Sequence, residues 1–388
     1  MVSMKEIVEL DDERYGLENE IQDDTEYDED GEEYPYQVED IRIDQKMISL
    51  YQVVRWIEQE KLILRPEYQR NFVWDLKKQS LLIESLMLKI PIPAFYFDEN
   101  KDGIKTVIDG MQRLTTISRF MNNEFKLTKL QYLNEECRDK RFKDLAIKYQ
   151  SRIEDTQLAV NILDARCPYL VKFDVFRRIN TGGVQLQPQE IRNIVASPET
   201  RNLLSEMVNS RAFLTATQDT VNDIRMGAQE LALRYIAYRN IYDFEKKDFI
   251  TFGEMSKLLD KTIVRVNEMP QKEKDCIAND FKQSMEKCHS LFGDRTFSKP
   301  QRKYIVNRAL FVSYSIVMDH CILKCETLKE KSAAAIKLLE EKLNNNKNYY
   351  NAITSSTSSR RNMYTQIYFA IELMEDLFDD WKTSTSKL

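Results

Sequence analysis

The stretch "TVIDGMQRLTT", residues 106–116, decides how the chain is read. It has the pattern of a strand, a tight turn and the first turn of a helix. Arg113 then stands where the helix backbone already presents positive charge, a placement disfavoured by about 0.3–1 kcal/mol for a bare cation. Two accounts are open. Either Arg113 reaches to a nearby carboxylate such as Asp109, or an anion sits between it and the helix end. Gly110 permits a backbone conformation that other residues avoid and lets a ligand approach the main chain. The first amides of the helix have no intrahelical partner, and with Gln112, Arg113, Thr115 and Thr116 they resemble a phosphate cradle. The standard nucleotide loops, G-x-x-x-x-G-K-[ST] and G-x-G-x-x-G, are absent.

Working outward, "IDQKMISLYQVVRWIEQEKLI" places Met47, Leu50, Val53, Val54 and Ile57 at helical spacing behind Asp44 as an N-cap. The segment "LRPEYQRNFVWD", residues 64–75, is broken by Pro66 and ends on Asp75, which can cap a helix over about 76–89. "IPIPAFYFD" and "KTVIDG" read as strands joined by the turn "KDGI". Short strands are also predicted at "EFKLT" and "LAVNIL". From about residue 170 the periodicity is helical, through "PYLVKFDVFRRINT", "PQEIRNIVASPETRNLLSEMV" and "AQELALRYIAYRNI" to a last stripe of Ile367, Ile371, Met374 and Phe378. "TSSTSSRR", residues 354–361, reads as a polar loop whose hydroxyls and arginines would also suit phosphates. The fold class is therefore α+β. An acidic disordered leader (1–40) precedes a small mixed α/β lobe (41–165) and a larger all-helical lobe (166–388).

A chain of 388 residues with 42% hydrophobic and 10% aromatic content can bury a large core. Only nine glycines and nine prolines favour helix over loop-rich architecture. No apolar run reaches the roughly 20 residues that span a bilayer, and the start lacks a signal-peptide pattern, so no membrane role and a cytoplasmic location are expected. The six cysteines lack CxxC or disulfide-framework spacing and read as buried structural residues, with no metal site expected. Charge is distributed unevenly. Residues 1–40 hold 17 acidic side chains against Lys5 and Arg14, a net of −15, so the rest of the chain carries +9 although the whole sums to −6. The leader is either a solvated tail or a screen over a basic surface that would otherwise meet DNA.

Two further clusters accompany the opening stretch. "RPEYQRNFVWD" gathers Arg65, Gln69 and Arg70 with Tyr68, Phe72 and Trp74, a mixture able to hold the phosphate and base ends of a nucleotide. "FRRINTGGVQLQPQEIRN", residues 176–193, offers Arg177, Arg178 and Asn180 where a helix ends in a left-handed cap, with Pro188 and Glu190 opening the next helix. It also reads as a plain helix–loop–helix connection.

The ordered trio PxYQRxxVW, (V/I)DGxQRLTT and FxRINTGG resembles the N-terminal domain of GmrSD restriction endonucleases, from about residue 45 to residue 195. That domain is similar to the ParB/sulfiredoxin fold. The resemblance implies a nucleoside-triphosphate-binding module of a DNA-defence system, using the triphosphate with Mg2+ and acting on modified or foreign DNA. On that basis Gln69, Arg70, Gly110, Gln112, Arg113, Thr115, Arg178 and Asn180 would line the nucleotide site. Asp109, Gln112 and Arg113 would carry any hydrolysis. Two departures stand out: Met111 replaces the first glutamine of the family's DGQQR, and His289 and His320 do not form the His-Asn-His nuclease motif of larger members. The resemblance thus implies a stand-alone version whose nuclease half is either missing or supplied by a partner chain, with DNA met through the basic body and homo-oligomerisation left open. A binding-only adaptor for DNA or protein and a ParB-like DNA nickase are the competing readings; no clustering of carboxylates with lysine speaks for the nickase.

Overall fold

The computed structural model describes residues 16–18, 41–64, 74–179, 187–223, 225–250 and 254–382. Two compact units are present, Glu32–Val195 and Met1–Gly31 with Ala196–Leu388.

In the first unit β1 (Ile43–Ser49) leads into α1 (Leu50–Glu58), followed by β2 (Leu62–Ile63), α2 (Leu76–Met87), β3 (Phe95–Glu99), β4 (Lys105–Asp109) and α3 (Met111–Met121). Then come α4 (Asn134–Cys137), α5 (Ile147–Glu154), β5 (Gln157–Leu163), α6 (Tyr169–Ile179) and α7 (Pro188–Val195). The five strands form one mixed sheet in the order β1-β5-β3-β4-β2. β1 runs antiparallel to β5, β5 parallel to β3, β3 antiparallel to β4, and β4 parallel to β2. Asp75 accepts from the Lys78 amide at 2.7 Å and starts α2, as its place in the sequence suggests.

Two local expectations fail. Ile43–Ser49 is a strand, not the start of a helix, and Met47 is 65% exposed. Seven pairs with β5 hold it extended, and Ser49, not Asp44, caps the helix by accepting from the Gln52 amide. The predicted strand at residues 124–128 is irregular chain. There Phe125 and Leu127 are buried in the core cluster, and the Thr128 amide goes to the Ser80 hydroxyl instead of a ladder partner. Val53, Ile83, Leu86, Phe97, Leu114, Ile117, Phe120 and Val160 belong to that cluster, so the helices pack with one face of the strands, the alternate residues Phe95 and Phe97 of β3 and Leu158, Val160 and Ile162 of β5, in one core.

The second unit contains α8 (Pro198–Val208), α9 (Arg211–Ala216), α10 (Gly227–Ile241), a two-stranded ribbon of β6 (Tyr242–Asp243) and β7 (Asp248–Phe249), α11 (Met255–Glu268) and α12 (Gln271–Phe292). It continues with α13 (Arg308–Asp319), α14 (Cys325–Glu330), α15 (Ser332–Asn345), α16 (Lys347–Ala352) and α17 (Arg360–Leu377). α12 packs against α8, α9, α13, α14 and α15, and every residue of α13 is buried. The rings of Phe213, Phe281 and Phe311 stack and tilt at this centre. Ile367, Ile371 and Met374 are buried as their stripe predicts, whereas Phe378 leaves the helix as its half-buried C-cap.

The polar loop at 354–361 is tied down. Asn362 donates to the Ser355 and Ser356 carbonyls, Gln366 to that of Thr357, and Ser359 caps α17. Cys137, Cys167, Cys288 and Cys321 are buried as expected, but Cys276 is exposed and Cys325 half-buried. Within the acidic leader, residues 16–18 are docked on the second unit, with Leu17 only 1% exposed, so these three are not part of a solvated tail. Among the described residues no helix is long and apolar enough to cross a membrane.

Candidate functional site

The stretch 106–116 folds as a strand, a one-residue turn and a helix. Pairing with β3 carries β4 as far as Asp109, where Tyr96 lies opposite and the register shifts by a bulge between Tyr96 and Phe97. Gly110 follows with φ +97°, the left-handed region, and its carbonyl accepts from the Leu114 amide to close the first turn of α3. A Cβ on residue 110 would come 2.2 Å from the ring of Phe95. Close packing of Phe95 and the positive φ therefore both require glycine here.

Arg113 answers the opening question by reaching inward. Its guanidinium binds Asp109 Oδ2 at 2.8 Å, donates to the carbonyls of Pro93 and Ala94, and lies 4.4 Å from the centre of the Phe95 ring. Burial pushes its pKa below the ordinary arginine value, and the Asp109 charge and hydrogen bond oppose that shift. The cation is thus held one turn from the positive helix end by a carboxylate, two carbonyls and a ring face. The Arg113 side chain is only 12% exposed, whereas that of Asp109 is 40% exposed.

Met111, the residue that departs from DGQQR, points into the core and is buried in the hydrophobic cluster. Its thioether serves packing. Gln112 differs: its Oε1 is buried and has no hydrogen-bond partner among the described residues. No side chain caps the start of α3, and Gln112 is the second residue of that uncapped first turn. Thr115 is half-buried one residue beyond Leu114, and Thr116 is fully buried, its hydroxyl returned to the Gln112 carbonyl at 2.8 Å.

The chain itself gathers Asp109, Gly110, Gln112, Arg113 and Thr115 around this turn. Arg178 stands in the last turn of α6, where Arg177 pairs with Asp174 at 3.7 Å. Gln69, Arg70 and Asn180 lie outside the described residues. Pro188 and Glu190 open α7 as predicted, with Glu190 accepting from the Gln187 amide.

Sequence reasoning missed the Pro93 and Ala94 carbonyls and the Phe95 ring as partners of Arg113. The available signal was "IPIPAF": two prolines remove donors just before a strand and leave carbonyls for an outside donor. It also missed the pair that fastens α6 to the sheet, Lys172 with Asp98 of β3, whose side chains are 5% and 17% exposed.

Residues 50–195, the span from the first residue of α1 to the last of α7, match the family model described as the N-terminal domain of the GmrSD restriction endonuclease. No curated protein and no solved structure gives a match to this chain.

Proposed function

We propose that the chain serves in restriction of modified or foreign DNA, a reading supported by the match of residues 50–195 to the family model of the GmrSD N-terminal domain. In this reading it binds a nucleoside triphosphate at the start of α3 and works with a partner nuclease. The observation that carries the nucleotide part is the buried Oε1 of Gln112, a polar atom without a partner among the described residues at the mouth of an uncapped helix. Such an acceptor is costly to bury, by about 1–3 kcal/mol, unless a ligand or bound water completes it.

The chemistry of this turn fits a triphosphate. The free amides of the first turn of α3 would donate to phosphate oxygens, which only accept. Gln112 Oε1 would accept from a ribose hydroxyl or an ordered water. Asp109 keeps one carboxylate oxygen beside the Oδ2 bound by Arg113, and a single carboxylate with phosphates and waters is a common way to hold Mg2+. Mg2+, when bound, would supply charge neutralisation at the phosphates. Arg113 would act through position: it fixes Asp109 and the turn while lending positive potential. Gln69, Arg70, Thr115, Arg178 and Asn180 are proposed as further lining residues.

One observation favours the binding-only adaptor as a second reading. Arg113 is engaged by Asp109 and two carbonyls, so it is poorly placed to follow charge building on a transferred phosphoryl group. The two readings separate when the chain is incubated with each labelled nucleoside triphosphate and Mg2+, with and without DNA. Binding with turnover supports the NTPase, binding without turnover supports the adaptor, and absence of binding for every triphosphate overturns both nucleotide readings.

A further inference from the structure

Between α12 and α13 the chain makes an exposed turn, residues 301–304, with the sequence Gln-Arg-Lys-Tyr. Tyr304 is 47% exposed and holds φ +73°, a left-handed conformation that costs a bulky residue of this kind. The Lys303 ammonium lies 4.5 Å from the centre of the Tyr304 ring, and its nearest acid, Asp294, is 3.7 Å away. The surrounding stretch, residues 295–308, carries Arg295, Lys299, Arg302, Lys303 and Arg308 and no acidic residue.

The turn is braced from both sides by residues 16–18. Leu17 forms a parallel bridge with Val306: the Val306 amide donates to the Gly16 carbonyl and the Glu18 amide to the Val306 carbonyl, each at 2.9 Å. The Glu18 carboxylate binds the Lys299 ammonium through Oε1 and the Asn307 amide through Oε2, while Arg308 donates to its backbone carbonyl. The docking is built, not incidental. A Cβ on Gly16 would meet the Thr220 carbonyl oxygen at 2.0 Å, and one on Gly227 would meet the Leu17 side chain at 2.6 Å. Lys299 and Val306 flank the turn in sequence, and both are fixed by the same three leader residues.

A strained tyrosine, 47% exposed, thus stands between two braced anchors on a turn where the exposed Arg302 and Lys303 precede it, with Lys303 lying over its ring and paired with Asp294. We propose that residues 301–304 are a contact for single-stranded nucleic acid, in which Arg302 and Lys303 meet phosphates and Tyr304 stacks on an unpaired base. The braced backbone presents the ring at a fixed angle, which lowers the ordering cost of binding. This inference rests on the DNA-facing part of the proposed function and is independent of the nucleotide site.

The test compares a labelled single-stranded oligonucleotide with the matching duplex, on the full chain and three variants. Arg302→Glu with Lys303→Glu should weaken single-strand binding at least about tenfold and flatten its salt dependence. Tyr304→Gly relieves the backbone strain, so it should keep or raise the melting temperature while weakening single-strand binding about tenfold. Glu18→Gln, which loosens the brace, should weaken binding less than either. The inference is overturned if the charge reversal and Tyr304→Gly bind single strands as the parent does, or if the duplex is preferred and Tyr304→Gly leaves that preference unchanged. If no form of the protein binds either DNA, the DNA-facing reading itself falls with it.

Discussion

A cation is stable at position 113 because its charge is answered within one helical turn. Asp109, the Pro93 and Ala94 carbonyls and the face of Phe95 together outweigh the unfavourable dipole, which alone is worth about 0.3–1 kcal/mol. The same ring explains Gly110. Gly110→Ala should cost about 2–4 kcal/mol, since it adds overpacking against Phe95 to a left-handed backbone. A melting temperature within a degree or two of the parent would contradict this. The pairing of Arg113 with Asp109 was legible as one of two alternatives, because i,i+4 spacing puts them within reach across the turn. The buried oxygen of Gln112 was not legible: whether an amide finds a partner depends on neighbours that the local sequence does not name.

Elements were readable where their signals are local and failed where pairing is distant. Asp75 before an apolar-periodic run identifies the start of α2 without any tertiary information. β1 shows the opposite case. Its residues fit a helical spacing, and only pairing with β5, more than a hundred residues away, holds them extended and turns Met47 to the surface. Glu84 is another distant device: its buried carboxylate accepts from the amides of Gln131, Tyr132 and Leu133 at 2.9, 2.6 and 2.7 Å, pinning irregular chain to α2. Glu84→Gln replaces one accepting oxygen by a donor facing these amides. It should cost about 2–4 kcal/mol, read as a shifted denaturant midpoint, and an unchanged midpoint would show that the loop is held by other means.

At the scale of the whole molecule, the uneven charge sets an expectation for polyanions, and the docking of residues 16–18 changes how to test it. Deleting the leader would remove buried Leu17 and the partner of Lys299, mixing destabilisation with lost screening. Neutralising Asp23, Asp24, Glu26, Asp28, Glu29 and Asp30 leaves that docking in place. Non-specific DNA affinity at low salt should then rise several-fold if the leader screens the basic body, and equal affinity would dispose of the screen. The nucleotide site is tested most directly by Gln112→Leu in the intact chain, with melting temperature and triphosphate affinity measured side by side. A purely structural glutamine would lose stability on this change. A glutamine kept for a ligand should leave stability equal or higher by about 1 kcal/mol, because an unsatisfied buried acceptor is removed, while triphosphate affinity falls about fivefold to tenfold. Unchanged affinity, or loss of stability with affinity retained, would contradict a nucleotide site at the start of α3.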